Sequence, residues 1–285
     1  TGGDPVGSDG GFLVPVDFDN KIKEERRQLV SLADLFYTEN VTTLTGWRVI
    51  DATPTKGFTK VSEMGNIPKD DQPKFKKIPY SVEEYALIIG VSNDLLNDNN
   101  AGLMAYLARW FARKSVITEN SVLKAMLDTL TAKVLTAKKE LAGLKSAINK
   151  DLDPAIAANA SIITNQSGFD FLDQMNDSNG RPLLQPDPTT GTPMLFKNKR
   201  VVMLSDAELP NRVEEGKGEY YPIYVGDFKS FGTLFRRQPL EVATTNIGGS
   251  AWGTNSTEAR GIIRLDAKEM DEKAAIKREI FVTAT

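Results

Sequence analysis

The side chains that could do chemistry in this 285-residue chain are restricted in kind: it has no Cys and no His. That removes disulfides, thiolate nucleophiles, Cys-ligated zinc, Ser-His-Asp hydrolysis and the ordinary neutral-pH general base. Catalysis would fall to carboxylates, Lys or Tyr. The conspicuous carboxylate pairs, Glu24–Glu25, Asp70–Asp71 and Glu83–Glu84, are adjacent in sequence. Adjacent residues diverge on a helix or strand, so each pair reads as solvated charge rather than as a matched acid and base.

Three other stretches invite a chemical reading. "DSNGRPLLQPDPTTG", residues 177–191, has the acids and glycine of a calcium loop. Setting Gly180 at the sixth position of an EF-hand loop places Asp177 and Asn179 well. It also puts Met175 at the first position and Pro186 at the twelfth, and neither offers a side-chain oxygen. The stretch therefore reads as a pair of turns, with Asn179 and Gly180 suited to positive φ. "GGSAWG", 248–253, is glycine-rich but lacks the strand-to-helix setting of a phosphate cradle. "RWFARK", 109–114, mixes basic and aromatic residues as single-strand nucleic-acid surfaces do. At helical spacing Trp110 and Phe111 fall on an apolar face, and core packing is the better account.

The elements that would position such residues follow from pattern. Residues 1–11 are rich in Gly and Asp and read as an arm needing an external partner to order it. "FLVP" at 12–15 is an apolar anchor, and Asp17 or Asp19 could cap a polar helix to about Leu29. Residues 35–51 have strand character. Ala52–Pro79 then forms an excursion rich in Pro and Gly, flanked by strands at 41–51 and 80–92. Its stretch 56–77 holds six lysines against three acids, although the whole chain carries a net charge of −3. Residues 101–130 make the strongest helix. Leu103, Met104, Leu107, Trp110 and Phe111 share one face, and Val122, Leu123, Met126, Leu127 and Leu130 share another, rotated from the first. Further helices are expected at 138–150 and 168–176. Strands are expected at 161–165, around "KRVVML" and "YPIYVGDF", as a pair over 232–244, at 259–269, and at the C-terminus. No segment approaches the roughly 20 apolar residues of a membrane-spanning helix.

In this order the pieces resemble the major capsid proteins of tailed bacteriophages with the HK97-type fold. The likeness is carried by "GGFLVP", the excursion at 52–79, the 101–130 helix, "IITNQSGFDFLDQMNDSNGRPLLQPD", "VGDF" at 225–228 and "ARGIIRLD". The resemblance implies an α+β, HK97-like fold. Residues 1–40 would be the N-terminal arm and helix, and 41–92 an extended β-hairpin E-loop with its flanking strands. Residues 93–135 and 236–285 would form a peripheral domain with a spine helix, and 136–235 an axial domain. It implies no catalysis and no cofactor or metal. It implies homo-oligomerisation into hexamers and pentamers of a shell, non-specific contact with packaged double-stranded DNA, and work with a portal, a maturation protease and decoration proteins. The location would be the virion, after assembly in the host bacterial cytoplasm and away from any membrane. The start at Thr1, without Met, fits a pro-segment cut away. An encapsulating nanocompartment on the same fold is the alternative.

On this reading the E-loop contact residues are Phe58, Lys60, Val61, Met64, Ile67, Lys69 and Phe75. Gly46, Gly57, Gly65 and Gly90 are candidate hinges. The loop should be unsupported in a free subunit and fixed in a shell. Some members of the family join subunits by a Lys–Asn isopeptide bond, assisted by a Glu. The aromatic-x-x-Asn pattern of "WGTN" marks Asn255 as the acceptor, with Lys56 or Lys60 as donor. Ile262 stands where that Glu would be and Glu258 is out of register, which weighs against the bond.

Overall fold

The computed structural model of the chain describes residues 29–51, 57–67, 75–135, 140–176, 180–186 and 194–283. The expectations for the arm and helix at 1–28, for Lys56 and Lys69, and for most of the double turn at 177–191 lie outside the described residues.

A 3-10 turn at Leu32–Asp34 precedes strands β1 (Tyr37–Asn40), β2 (Thr45–Asp51), β3 (Phe75–Ser81) and β4 (Glu83–Ser92), and then helix α1 (Asn93–Leu127). Strand β5 (Ala132–Leu135) leads to α2 (Glu140–Ser146), which continues as a π-helical turn at Ala147–Asp151. Next come α3 (Pro154–Asn159), β6 (Ser161–Asn165) and α4 (Gln166–Asp173). Strands β7 (Leu184–Pro186), β8 (Met194–Phe196), β9 (Lys199–Leu204), β10 (Arg212–Glu214) and β11 (Gly218–Gly226) follow. The chain closes with α5 (Phe228–Phe231), β12 (Gly232–Thr245), α6 (Ala251–Thr254), β13 (Ser256–Glu269) and β14 (Ala275–Thr283).

Local chemistry sets several of these boundaries. Asp153 accepts a hydrogen bond from the N–H of Ala155 at 2.9 Å, and Pro154 opens α3 where a missing N–H costs nothing. Asn165 caps α4 by accepting from the N–H of Gly168 at 2.8 Å. The run Ile162–Asn165 is wholly buried because β6 lies inside a sheet, antiparallel to β11 and parallel to β9. Along β13 burial alternates from Ala259 to Ala267, as its apolar–polar pattern requires.

Three sheets result among the described residues. One runs β1-β12-β13-β4; the largest runs β5-β14-β11-β6-β9-β8-β7, with β10 added to β11; and β2-β3 form a separate ribbon. By compactness the chain separates into one unit containing Ala86–Lys114 and Val242–Gly261, and a second comprising Val30–Tyr85, Ser115–Glu241 and Ile262–Thr285. In the first unit Leu107 and Phe111 are buried on one face of α1. In the second, Leu123, Met126 and Leu127 pack with Tyr224, Phe228, Phe231, Leu234 and Leu265. Asn120, 1% exposed, ties the entering chain to the helix. It accepts from the N–H of Leu32 at 2.9 Å and donates to the carbonyl of Val30 at 2.7 Å. A second core gathers Leu144, Ile162, Leu172, Phe196, Ile223 and Ile280.

Several expected boundaries are corrected. Residues 35–51 divide into β1 and β2, which join different sheets. The strand returning from the excursion is β3, beginning at Phe75, rather than 80–92. Most of 80–92 is β4, in the sheet with β13. The long helix starts at Asn93, eight residues before the expected start, because nothing in "NDLLNDNN" breaks it and the Ser92 hydroxyl accepts from the N–H of Asp94 at 3.3 Å. Residues 232–245 are one strand, not a pair. Gly180 does take positive φ (+77), beside a bridge between Asn176 and Pro182.

Candidate subunit-contact surface

The β2–β3 ribbon has two unlike faces. Antiparallel register sets Trp47 against Pro79, Val49 against Lys77 and Asp51 against Phe75 on one face. On the other face Gly46 lies against Tyr80 and Arg48 against Ile78. The second face is held to the body of its own unit. Tyr80 stacks on Phe235 with ring centroids 4.4 Å apart. The Arg48 guanidinium lies 5.3 Å over the Tyr80 ring and forks onto Glu39, its Nε 3.1 Å from each carboxylate oxygen. That hydrogen-bonded carboxylate raises the Arg48 pKa further above its ordinary value. Lys76 pairs with Glu272 at 2.7 Å, and the N–H of Ser81 donates to Asp266 at 2.8 Å. The Lys76 ammonium in turn holds the Glu272 carboxyl below the usual carboxylate range.

The first face and the loop beyond it have no such support. Phe58 is 110% exposed, Met64 102% and Ile67 80%. Phe75 and Val61 are also exposed, as is Lys60. Exposed Phe, Met and Ile side chains clustered on one excursion are what a buried interface looks like before its partner arrives. Sequence reasoning missed Trp47 and Val49, which continue this apolar surface down the ribbon, both exposed, with Lys77 Nζ 4.8 Å from the Trp47 ring centroid. Their alternation with Gly46 and Arg48 was the available signal.

The four glycines have different settings. A Cβ on Gly46 would stand 2.5 Å from the Tyr80 hydroxyl, so the position is needed for close packing. One on Gly65 would stand 2.7 Å from Ser62 Oγ, in a turn closed by the Gly65 N–H donating to the Ser62 carbonyl at 2.8 Å. Gly57 and Gly90 face open space. Asn255 ends α6 in the left-handed conformation, φ +46. Its Oδ1 accepts from Asn93 Nδ2 at 2.9 Å and its carbonyl from the Asn93 N–H at 3.0 Å. Glu258 accepts from Ser250. Among the described residues no group of His, Cys, Asp or Glu is arranged to hold a metal ion.

Such an arrangement leaves an exposed apolar surface on a ribbon whose other face is anchored to the body. The model of the phage capsid family matches residues 10–280, and the chain belongs to that family. It is a structural capsid protein that assembles into a multimeric shell. No curated protein matches it in sequence. Among solved structures it is similar to the capsid of a native GTA particle, with 20% identity over 99% of both chains and a TM-score of 0.74. It is also similar to a chain of Microbacterium phage Oxtober96, with 14% identity over 94% of this chain and 96% of that one and a TM-score of 0.65. The mature capsid of bacteriophage PhiM1 gives 9% identity, 92% and 90% coverage, and a TM-score of 0.62. At these identities the likeness establishes a shared HK97-like α+β fold.

Proposed function

We propose that the chain is the major capsid subunit of a tailed phage, forming hexamers and pentamers that close around double-stranded DNA. The excursion between β2 and β3 is its E-loop, and its occupant is a neighbouring copy. The single observation that carries this is the contrast within the ribbon. Its root is clamped to its own body, while Phe58, Met64 and Ile67 are left in solvent. A soluble chain that keeps such residues out of its core gains by burying them at a contact. Lys60 belongs to the same exposed surface. The basic stretch 56–77 would meet the acidic remainder of another copy, which fixes register more than affinity. The arm, peripheral and axial domains keep the boundaries the resemblance implies. Portal, maturation protease, decoration proteins and assembly in the host cytoplasm belong to the same reading.

Deleting residues 57–67 tests it. The subunit should stay folded, because the ribbon's root contacts all remain, and closed particles should vanish from electron micrographs. Normal particles from the deletion variant would defeat the proposal.

A further inference from the structure

With no Cys in the chain, its thioethers are the side chains most open to reversible oxidation. The seven methionines are not equally placed. Met126 is 5% exposed in the core, and Met104, Met175 and Met270 are half-buried. Met203, on β9, is 41% exposed. Met64 stands apart at 102%. Its turn accounts for this. The Gly65 N–H donates to the Ser62 carbonyl at 2.8 Å, and Met64 takes φ +61 between them. The hydrogen bond fixes the backbone, and the thioether is left in water with nothing of its own chain to pack against.

We infer that the Met64 thioether is a reversible oxidation site that gates shell assembly. The inference rests on the reading of the excursion as a subunit contact. With hydrogen peroxide as oxidant, the sulfur takes one oxygen: an S–O bond forms as the O–O bond breaks. The thioether loses two electrons, and the departing hydroxide takes the proton of the transferred oxygen and becomes water. The product is a polar, chiral sulfoxide. In the free subunit its oxygen is hydrated, as the exposed thioether was, so the fold does not register the change. At an apolar contact the oxygen must give up that water, which is unfavourable unless a donor replaces it. Every copy of the contact carries the same penalty, so a modest cost is repeated around a closed shell. Exposure also sets the direction of control. Free subunits are the sensitive state, and an assembled shell shields the sulfur. Methionine sulfoxide reductases return the thioether, so a modified free subunit is recoverable.

Trypsin cuts after Lys60 and Lys69 and so isolates Met64 as the single methionine of one peptide, 61–69. Purified subunits are treated with hydrogen peroxide, freed of it and allowed to assemble. That peptide should gain one oxygen well before the peptide holding Met126 does. The subunit concentration needed for particles should then rise roughly tenfold, and methionine sulfoxide reductase should restore it. Met64→Leu keeps the apolar volume without the sulfur. It should assemble as the wild type does and hold its threshold after peroxide. Met64→Gln is polar with no oxidant, and should raise the threshold while leaving the melting temperature of the subunit unchanged. Fully converted subunits that form particles at the untreated concentration would overturn the inference. So would a Met64→Leu variant as sensitive to peroxide as the wild type, or a Met64 that reacts as fast in particles as in free subunits. Each of these results leaves the E-loop reading standing where deletion of 57–67 still abolishes particles. Normal particles from the deletion variant would remove both.

Discussion

Met64 is the third residue of the Ser62–Gly65 turn, has φ +61, and sends its side chain wholly into solvent. That position of a type II turn favours Gly or Asn, and an L residue there costs about 1–2 kcal/mol. The strain is tolerated where the side chain is used elsewhere. Met64→Gly is thus expected to stabilise the free subunit by about 0.5 kcal/mol, once glycine's own entropy cost is set against the relief, and to lower particle yield. Denaturant unfolding and micrographs check the two halves. Tyr224 gives the pH prediction. Burial, then its hydrogen bond to Asp128 at 2.7 Å, pushes the phenol pKa well up. The unfolded phenol ionises near 10. Its contribution is fully present below that pH and is lost as pH rises from there towards the folded value, at up to about 1.4 kcal/mol per pH unit. Tyr224→Phe should be less stable at neutral pH, yet lose stability less steeply above pH ~10. Parallel wild-type and variant slopes there would contradict this. None of this was legible in the residues alone. Met64 reads as one apolar residue among several, and its φ depends on how the turn closes. That Phe58, Met64 and Ile67 stay outside the core was legible because too few large apolar neighbours surround them in sequence to make one.

At the scale of elements, the β2–β3 ribbon has a root fixed to the body of its own unit. Gly46 and Tyr80 face each other across it, and a methyl group at 46 enters the tyrosine ring. Gly46→Ala is expected to destabilise the subunit by about 1–3 kcal/mol through overpacking. In a Tyr80→Ala background the same change should cost much less, so a double-mutant cycle by denaturant unfolding should show coupling. Additive effects would mean that the ribbon's root does not depend on this packing. Elements with strong local pattern were legible: the buried run of β6, the two rotated faces of α1 and the alternation of β13. The division at Val82 was not, because residues 75–92 keep strand character throughout. Only long-range pairing assigns β3 to β2 and β4 to β13. Residues 232–244, expected as a pair of strands, form one strand with Pro239 inside it. The proline lies beyond the stretch that β1 pairs, Thr233–Arg236, and among the described residues no strand pairs that edge of β12 there, a setting in which a strand tolerates proline.

For the whole molecule, the proposed function has the exposed apolar surface buried in the assembled shell. Amide hydrogen exchange over 57–67 should be fast in dilute subunits and strongly slowed in particles, while the ribbon residues 45–51 and 75–81 are protected in both. Equal protection of 57–67 in the two states would show that the loop gains no partner. What the sequence determined by itself was chemical capacity and order. The lack of Cys and His limited catalysis, the lysine-rich excursion had no core of its own, and the succession of segments matched a capsid chain. Those are properties of residue type and local period, which survive without knowledge of distant partners. Tertiary structure alone decided which strand pairs with which, that Arg48, Tyr80 and Phe235 clamp the root of the β2–β3 ribbon, and that Ser250 bonds Glu258 across the turn between β12 and β13. Each of those depends on groups brought together from far along the chain, and no local pattern encodes the meeting.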